Sequence, residues 1–166
     1  MSDTSKIEFE HICADILNNE KFKSLNKELH HGITRYEHSM HVAKTTYMYL
    51  KKTKNSNIVE ATRAALLHDF YNNREIDEYN RVEKLSAHPS KSLENAKKFF
   101  EINDMQEDII VNHMFPSTKQ LPKTKEGKIV SVVDKLVAIY EMAHYKSVMQ
   151  LSVLLLFVFN MIGIRN

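Results

Sequence analysis

Residues 58–70 read IVEATRAALLHDF. Alanine and leucine dominate the stretch, and both are good helix formers. The helix ends on the dipeptide His68-Asp69, and Asn72 and Asn73 just beyond suit a helix exit. Ala64 and Ala65 stand one turn earlier, with Leu66, Leu67 and Phe70 around the pair. An imidazole and a carboxylate are thereby set among apolar side chains at a helix end, where adjacent ligands can approach one ion. A lone His-Asp pair also arises by chance, so the rest of the chain has to decide.

Working outward, residues 35–52 contain no glycine or proline and carry Val42 and Tyr49 at helical intervals behind Thr34. His38 lies on the less polar side of that helix. Residues 5–20 place Ile7, Ile12, Ile16 and Leu17 as an amphipathic first helix. Downstream, residues 74–87 are charged and weakly periodic, which reads as a surface loop or short helix. His88-Pro89 opens the next helix, whose stripe is Leu93, Ala96 and Phe100. Asp104 with Glu107 reads as a capping box for a short helix through Met114. FPSTKQLPKTKEG, residues 115–127, reads as an exposed basic loop. Residues 128–145 are helical again, with Asp134 between Val130, Val132, Val133, Leu136 and Val137. The expected fold is all-α, a bundle of about six or seven helices.

The bulk properties agree. A chain of 166 residues is one domain in length, and three glycines with three prolines favour long helices over many-turned β structure. The net charge of +2, with acids and bases interspersed, lacks the basic bias of a nucleic-acid binder, so no nucleic-acid partner is expected and small phosphorylated ligands fit. Cys13 stands alone and cannot form an intrachain disulfide. With no apolar stretch in MSDTSKIEFEH, a cytoplasmic protein is expected. Residues 148–164 form an apolar run that would span about 25 Å as a helix, at the lower limit for a hydrocarbon core of about 30 Å. They read either as a membrane tail or as a helix buried in the core or in a subunit interface. The chain therefore divides into a helical core, 1–145, and an apolar C-terminal segment, 146–166, with membrane contact and oligomerisation both open.

The nine histidines carry the functional reading. Burying Asp134 is costly unless it is paired or binds a metal, although it could face solvent beside Ser131 and Lys135. His113 follows Ile109 and Ile110 by four and three residues, on the apolar face of its helix, where a hydrogen-bonded core histidine is the plainer reading. His88 could be a helix-terminal residue with no chemistry. As a set, His38, His68, Asp69, His88, His113 and Asp134 each lie near an apolar helix face or a helix end, and imidazole with carboxylate suits divalent transition metals.

The order His38, then His68-Asp69, then Asp134 resembles the motif that names the HD-domain superfamily of metal-dependent phosphohydrolases. RYEHSMHVA, AALLHDF and KIVSVVDKLVAIYE look like its segments, and the likeness covers residues 34–141. It implies an HD-type helical bundle in which His38, His68, Asp69 and Asp134 hold one metal. It also implies that His88 and His113 hold a second, bridged by Asp69, with iron, manganese, zinc, nickel or magnesium as candidate ions. The look is nearest to bacterial binuclear enzymes that split dinucleoside tetraphosphates symmetrically. Asn72 departs from them where such proteins commonly carry lysine, and so does the apolar tail. The implied activity is hydrolysis of a phosphate ester or anhydride, of nucleotide type, with Asp69 and Arg35 as catalytic residues. Arg35, one turn before His38, could aim its guanidinium at substrate phosphate or be an ordinary surface arginine. Lys84, Lys91 and Lys135 are further candidates for that contact or solvated lysines, and His41 is a possible acid or substitute ligand. Two other readings use the same ligands: a non-catalytic metal or nucleotide sensor, and an HD-fold di-iron oxygenase.

Overall fold

A computed structural model describes residues 1–30 and 32–163. The architecture is all-α: helices α1 (Asp3–Ile12), α2 (Ala14–Asn18), α3 (Glu20–Ser24), α4 (Arg35–Lys52), α5 (Ile58–Leu67), α6 (Arg81–Phe99), α7 (Asp104–Asn112) and α8 (Lys125–Gly163). Short 3-10 turns at Leu25–Lys27 and Asn73–Ile76, and a two-stranded antiparallel hairpin of β1 (Leu29–His30) and β2 (Ile33–Thr34), complete the described residues.

The helix α5 is the centre of the bundle. Ala61, Ala64, Ala65, Leu66 and Leu67 are all fully buried, and the small alanines let α4, α7 and α8 approach closely. Burial of a leucine such as Leu66 stabilises the fold by about 1.5–3 kcal/mol. Val42, Ala43, Tyr47 and Leu50 of α4, Ile109 and Ile110 of α7, and Val130 and Val133 of α8 complete this core. Phe9, Cys13, Ile16, Phe22 and Leu25 from the N-terminal helices close one side of it. Burial pushes the Cys13 thiol up to about 12, so it behaves as a small apolar residue.

Helix α4 begins where the sequence places it. Thr34 accepts from the Glu37 amide and Glu37 reaches back to Thr34, a full capping box. Elsewhere the boundaries move. The expected first helix is three, because the chain leaves helical geometry at Cys13 and Asn19 restarts it as the cap of α3. That raises the helix count to eight among the described residues. Residues 81–87 are helical rather than loop: Asn80 caps α6 through the amides of Val82 and Glu83, so Pro89 sits two turns inside the helix instead of at its start. The cap of α7 is Asn103 with Gln106, one residue before the pair expected.

Helix α8 carries Asp134 and runs on without a break, so the 145/146 boundary falls inside it. Gly32, with φ of 92°, lets the hairpin pass against this helix: a Cβ there would run into the Tyr145 ring. On α8, Val132, Leu136, Ile139 and Tyr140 face outward, and Val148, Met149, Leu151 and Leu155 are exposed. The side chains at 153, 154 and 156–163 lie outside the described residues. Among the described residues no helix is long and apolar enough to cross a membrane. Ile164, the last residue of the expected segment, lies outside the described residues.

Candidate metal centre

Five helices deliver six side chains to one buried place. His38 comes from the first turn of α4, Asp134 from the N-terminal third of α8, and His88 from α6. His68 and His113 occupy equivalent positions, each the C-cap of its helix, α5 and α7. All six residues of the expected ligand set are buried.

The ring orientations share one rule. His68 donates its Nδ1 proton to the Ala65 carbonyl, His113 to the Ile110 carbonyl and His88 to the Lys84 carbonyl, each at 2.7 Å. A carbonyl can only accept, so the tautomer is fixed with the proton on Nδ1 and the lone pair on Nε2. For His68 and His113 the carbonyl belongs to the last helical turn, where no intrahelical donor remains. His38 follows the same rule with a side chain: its Nδ1 stands 2.8 Å from Glu141 Oε2.

The Nε2 atoms converge with carboxylate oxygens. His38 Nε2 and His68 Nε2 lie 3.1 and 3.5 Å from Asp134 Oδ1. His88 Nε2 lies 3.3 Å from both His113 Nε2 and Asp69 Oδ1, and His113 Nε2 lies 3.8 Å from that oxygen. Two donors held tetrahedrally about 2.1 Å from one ion stand about 3.4 Å apart, so both clusters fit a divalent cation. His38, His68 and Asp134 form one group able to hold an ion, and His68, Asp69 and His113 another. His68 Nε2 is buried and makes no hydrogen bond, as expected of a ligand atom.

The electrostatics favour a cation here. Burial works against the charge of Asp134, but His38 and His68 hold its carboxyl well below the usual range. Burial would lower His38, yet Asp134 and Glu141 raise it to about 10. Burial and the neighbouring His68 push His113 down to about 3, leaving a neutral imidazole.

Arg35 is buried, not an open surface arginine. Its guanidinium donates to the Tyr71 carbonyl, the Tyr71 hydroxyl and Asn73 Oδ1 at 2.9–3.0 Å and lies 3.9 Å over the Tyr71 ring. Its Nε stands 3.9 Å from Asp69 Oδ2. A cavity of about 220 Å³ opens onto the cluster, lined by Asp69, His88, His113 and Asp134 together with Tyr71, Leu85, Met114, Ala138, Lys84 and Lys135. Lys135 donates to the His113 carbonyl at 2.8 Å, whereas Lys91 pairs with Glu94 away from the cavity. His41 is not in the cluster; its Nδ1 stands 2.7 Å from Glu141 Oε1. Tyr71 and Glu141 are the residues the sequence reading missed. Glu141 carries a signal in its spacing, two helical turns beyond Asp134 on the same face, whereas Tyr71 carries none.

A helical bundle whose helix ends aim histidines and aspartates at one buried point defines a metal-centre scaffold. The HD domain family matches residues 35–139, and the chain belongs to that family, within a superfamily of metal-dependent phosphohydrolases. No curated protein and no solved structure matches the chain.

Proposed function

We propose that the protein hydrolyses a phosphate ester or anhydride of a nucleotide-type substrate. The observation carrying this is that both donor clusters face one cavity also lined by the ammonium-bearing Lys84 and Lys135. In this reading His38, His68 and Asp134 hold one divalent cation, His88 and His113 hold a second, and Asp69 lies between them. Bound there, the cations supply Lewis acidity toward phosphoryl oxygens and make water nucleophilic near neutral pH. With the cations bound the four imidazoles would turn Nε2 lone pairs to them, while Lys84 and Lys135 receive substrate charge and Leu85, Met114 and Ala138 limit water around the phosphoryl group. Arg35 acts from behind Asp69, setting Tyr71 and the carboxylate rather than touching substrate. The exposed side of α8 supports self-association through that helix.

A panel of phosphate esters and anhydrides tests this, with metal-replete protein under air and under argon. A dinucleoside tetraphosphate belongs in the panel because of the resemblance. Turnover that is indifferent to oxygen is expected. Tight ligand binding without turnover would instead make the protein a sensor, and oxygen-dependent chemistry would make it an oxygenase.

A further inference from the structure

We propose that Glu141 is a positioning residue of the metal centre: it clamps His38 so that Nε2 faces the ion, and His41 in turn holds the far oxygen of Glu141. The proposal rests on the metal-centre reading above. Among the four converging imidazoles, His38 is the one whose Nδ1 is fixed by a side chain instead of a helix carbonyl. A carbonyl of the helix backbone cannot be repositioned without unwinding the helix, but a side chain needs its own support. Glu141 has that support, because it is buried and each oxygen has one imidazole partner, His38 at 2.8 Å and His41 at 2.7 Å.

The chemistry requires a carboxylate. An ionised glutamate only accepts, so both ring Nδ1 atoms facing it carry protons, and Nε2 of His38, beside Asp134, is the ring nitrogen left to give up its proton to a binding cation. Helix α8 thus holds His38 at both ring nitrogens, through Asp134 and Glu141. His38 and His41 are one turn apart on α4, which lets a single carboxylate span both. A carboxylate behind a ligating histidine also raises the basicity of the ring, and losing such a partner typically costs about 10–100-fold in metal affinity. His41 has no place in the donor clusters, and its half-exposed ring makes it a brace reached from solvent.

Titration of Mn²⁺ into metal-free protein, without substrate, tests the clamp on wild type, Glu141→Gln, Glu141→Ala and His41→Ala. Thermal unfolding in excess chelator runs alongside as the measure of folding. Glu141→Ala is expected to weaken Mn²⁺ at the His38 site by about 10–100-fold. Glu141→Gln should lose less, since its amide oxygen can still accept from His38 while its NH₂ turns to His41. His41→Ala should also weaken binding by less, with the unfolding temperature of the metal-free protein unchanged. If Glu141→Ala fails to fold, the glutamine and His41 variants carry the test. Variants that bind Mn²⁺ as tightly as a metal-binding wild type overturn the clamp alone. Wild type that binds no divalent ion overturns the metal centre itself, and the clamp with it.

Discussion

The Nε2 atoms of His88 and His113 face each other at 3.3 Å. Each ring has its Nδ1 proton on a backbone carbonyl, so both Nε2 atoms present lone pairs, and lone pairs at that distance repel. A shared cation turns the repulsion into coordination, and the low pKa of His113, about 3, keeps that ring neutral as a ligand must be. His113→Ala is therefore expected to lower metal content by about one ion per chain and leave the site of His38, His68 and Asp134 filled. Elemental analysis of wild type and variant after identical metal-replete purification gives the answer. Unchanged content and activity would return His113 to the role of a core histidine.

Arg35 is expected to matter for folding more than for substrate affinity. Removing it strands Asp69, Glu28 and the Tyr71 carbonyl around a buried void, and breaking a buried ionic contact on one side costs about 3–5 kcal/mol. Chemical denaturation of Arg35→Ala should show a loss of that order. Stability near wild type, with KM for a phosphate substrate strongly raised, would place the guanidinium on substrate instead.

The parts legible in the sequence and the parts hidden from it differ for physical reasons. The four-residue motif and His113 are legible because each sits at a helix end or on an apolar stripe, and helical spacing is local, whereas His88, two turns inside α6, stands out only beside Pro89. Helix α4 is legible down to its cap because Thr34 and Glu37 are three residues apart. The start of α6 is hidden because its apolar residues Val82 and Leu85 are exposed and the buried positions that follow, His88, Ser92 and Asn95, are polar. Tyr71 is hidden because its partner Arg35 lies on another part of the chain and a pairing of that length leaves no local trace, whereas the spacing of Glu141 from Asp134 marks its face but not its distant partner His38.

Acid should weaken the fold through Glu75. Burial opposes its charge, but the Asn72 amide and Lys21 lower its pKa in the folded state. The unfolded chain then binds more protons in the window between the two values. Stability from this group is complete above the ordinary glutamate range of about 4.3 and is lost as pH falls through the lowered folded value. Urea midpoints measured from neutral to acid pH should fall less steeply for Glu75→Gln than for wild type. Parallel curves would show that Glu75 does not contribute.

The outward face of α8 should make the chain associate. Val132, Leu136, Ile139 and Tyr140 lie on the side of the helix turned away from the core, and Leu151, three turns beyond Tyr140, is exposed on the same side. A chain ending before Val148 is expected to sediment as a smaller species than the full chain at equal concentration, with the same helical unfolding transition. A full chain that sediments as a monomer would leave this face without a role in assembly.

Asp69 should be the residue whose loss empties the whole centre. Its Oδ1 lies 3.3 Å from His88 Nε2 and 3.8 Å from His113 Nε2, and its neighbour His68 points into the cluster of His38 and Asp134. A carboxylate between two cation sites reduces the charge repulsion that opposes double occupancy, a task no neutral imidazole can take over. Asp69→Asn keeps the shape but halves the acceptor capacity, and Asp69→Ala removes it, so metal content should fall in that order and below His113→Ala. Hydrolysis should fall with it. The Arg35 guanidinium, 3.9 Å from Asp69 Oδ2, would at the same time lose a nearby anion, so a drop in folding stability should accompany the metal loss. Chelator-treated protein separates the two effects, because only the stability term survives there. Asp69→Ala that still binds two ions per chain would remove the bridge from the site and leave each cation to its own histidines.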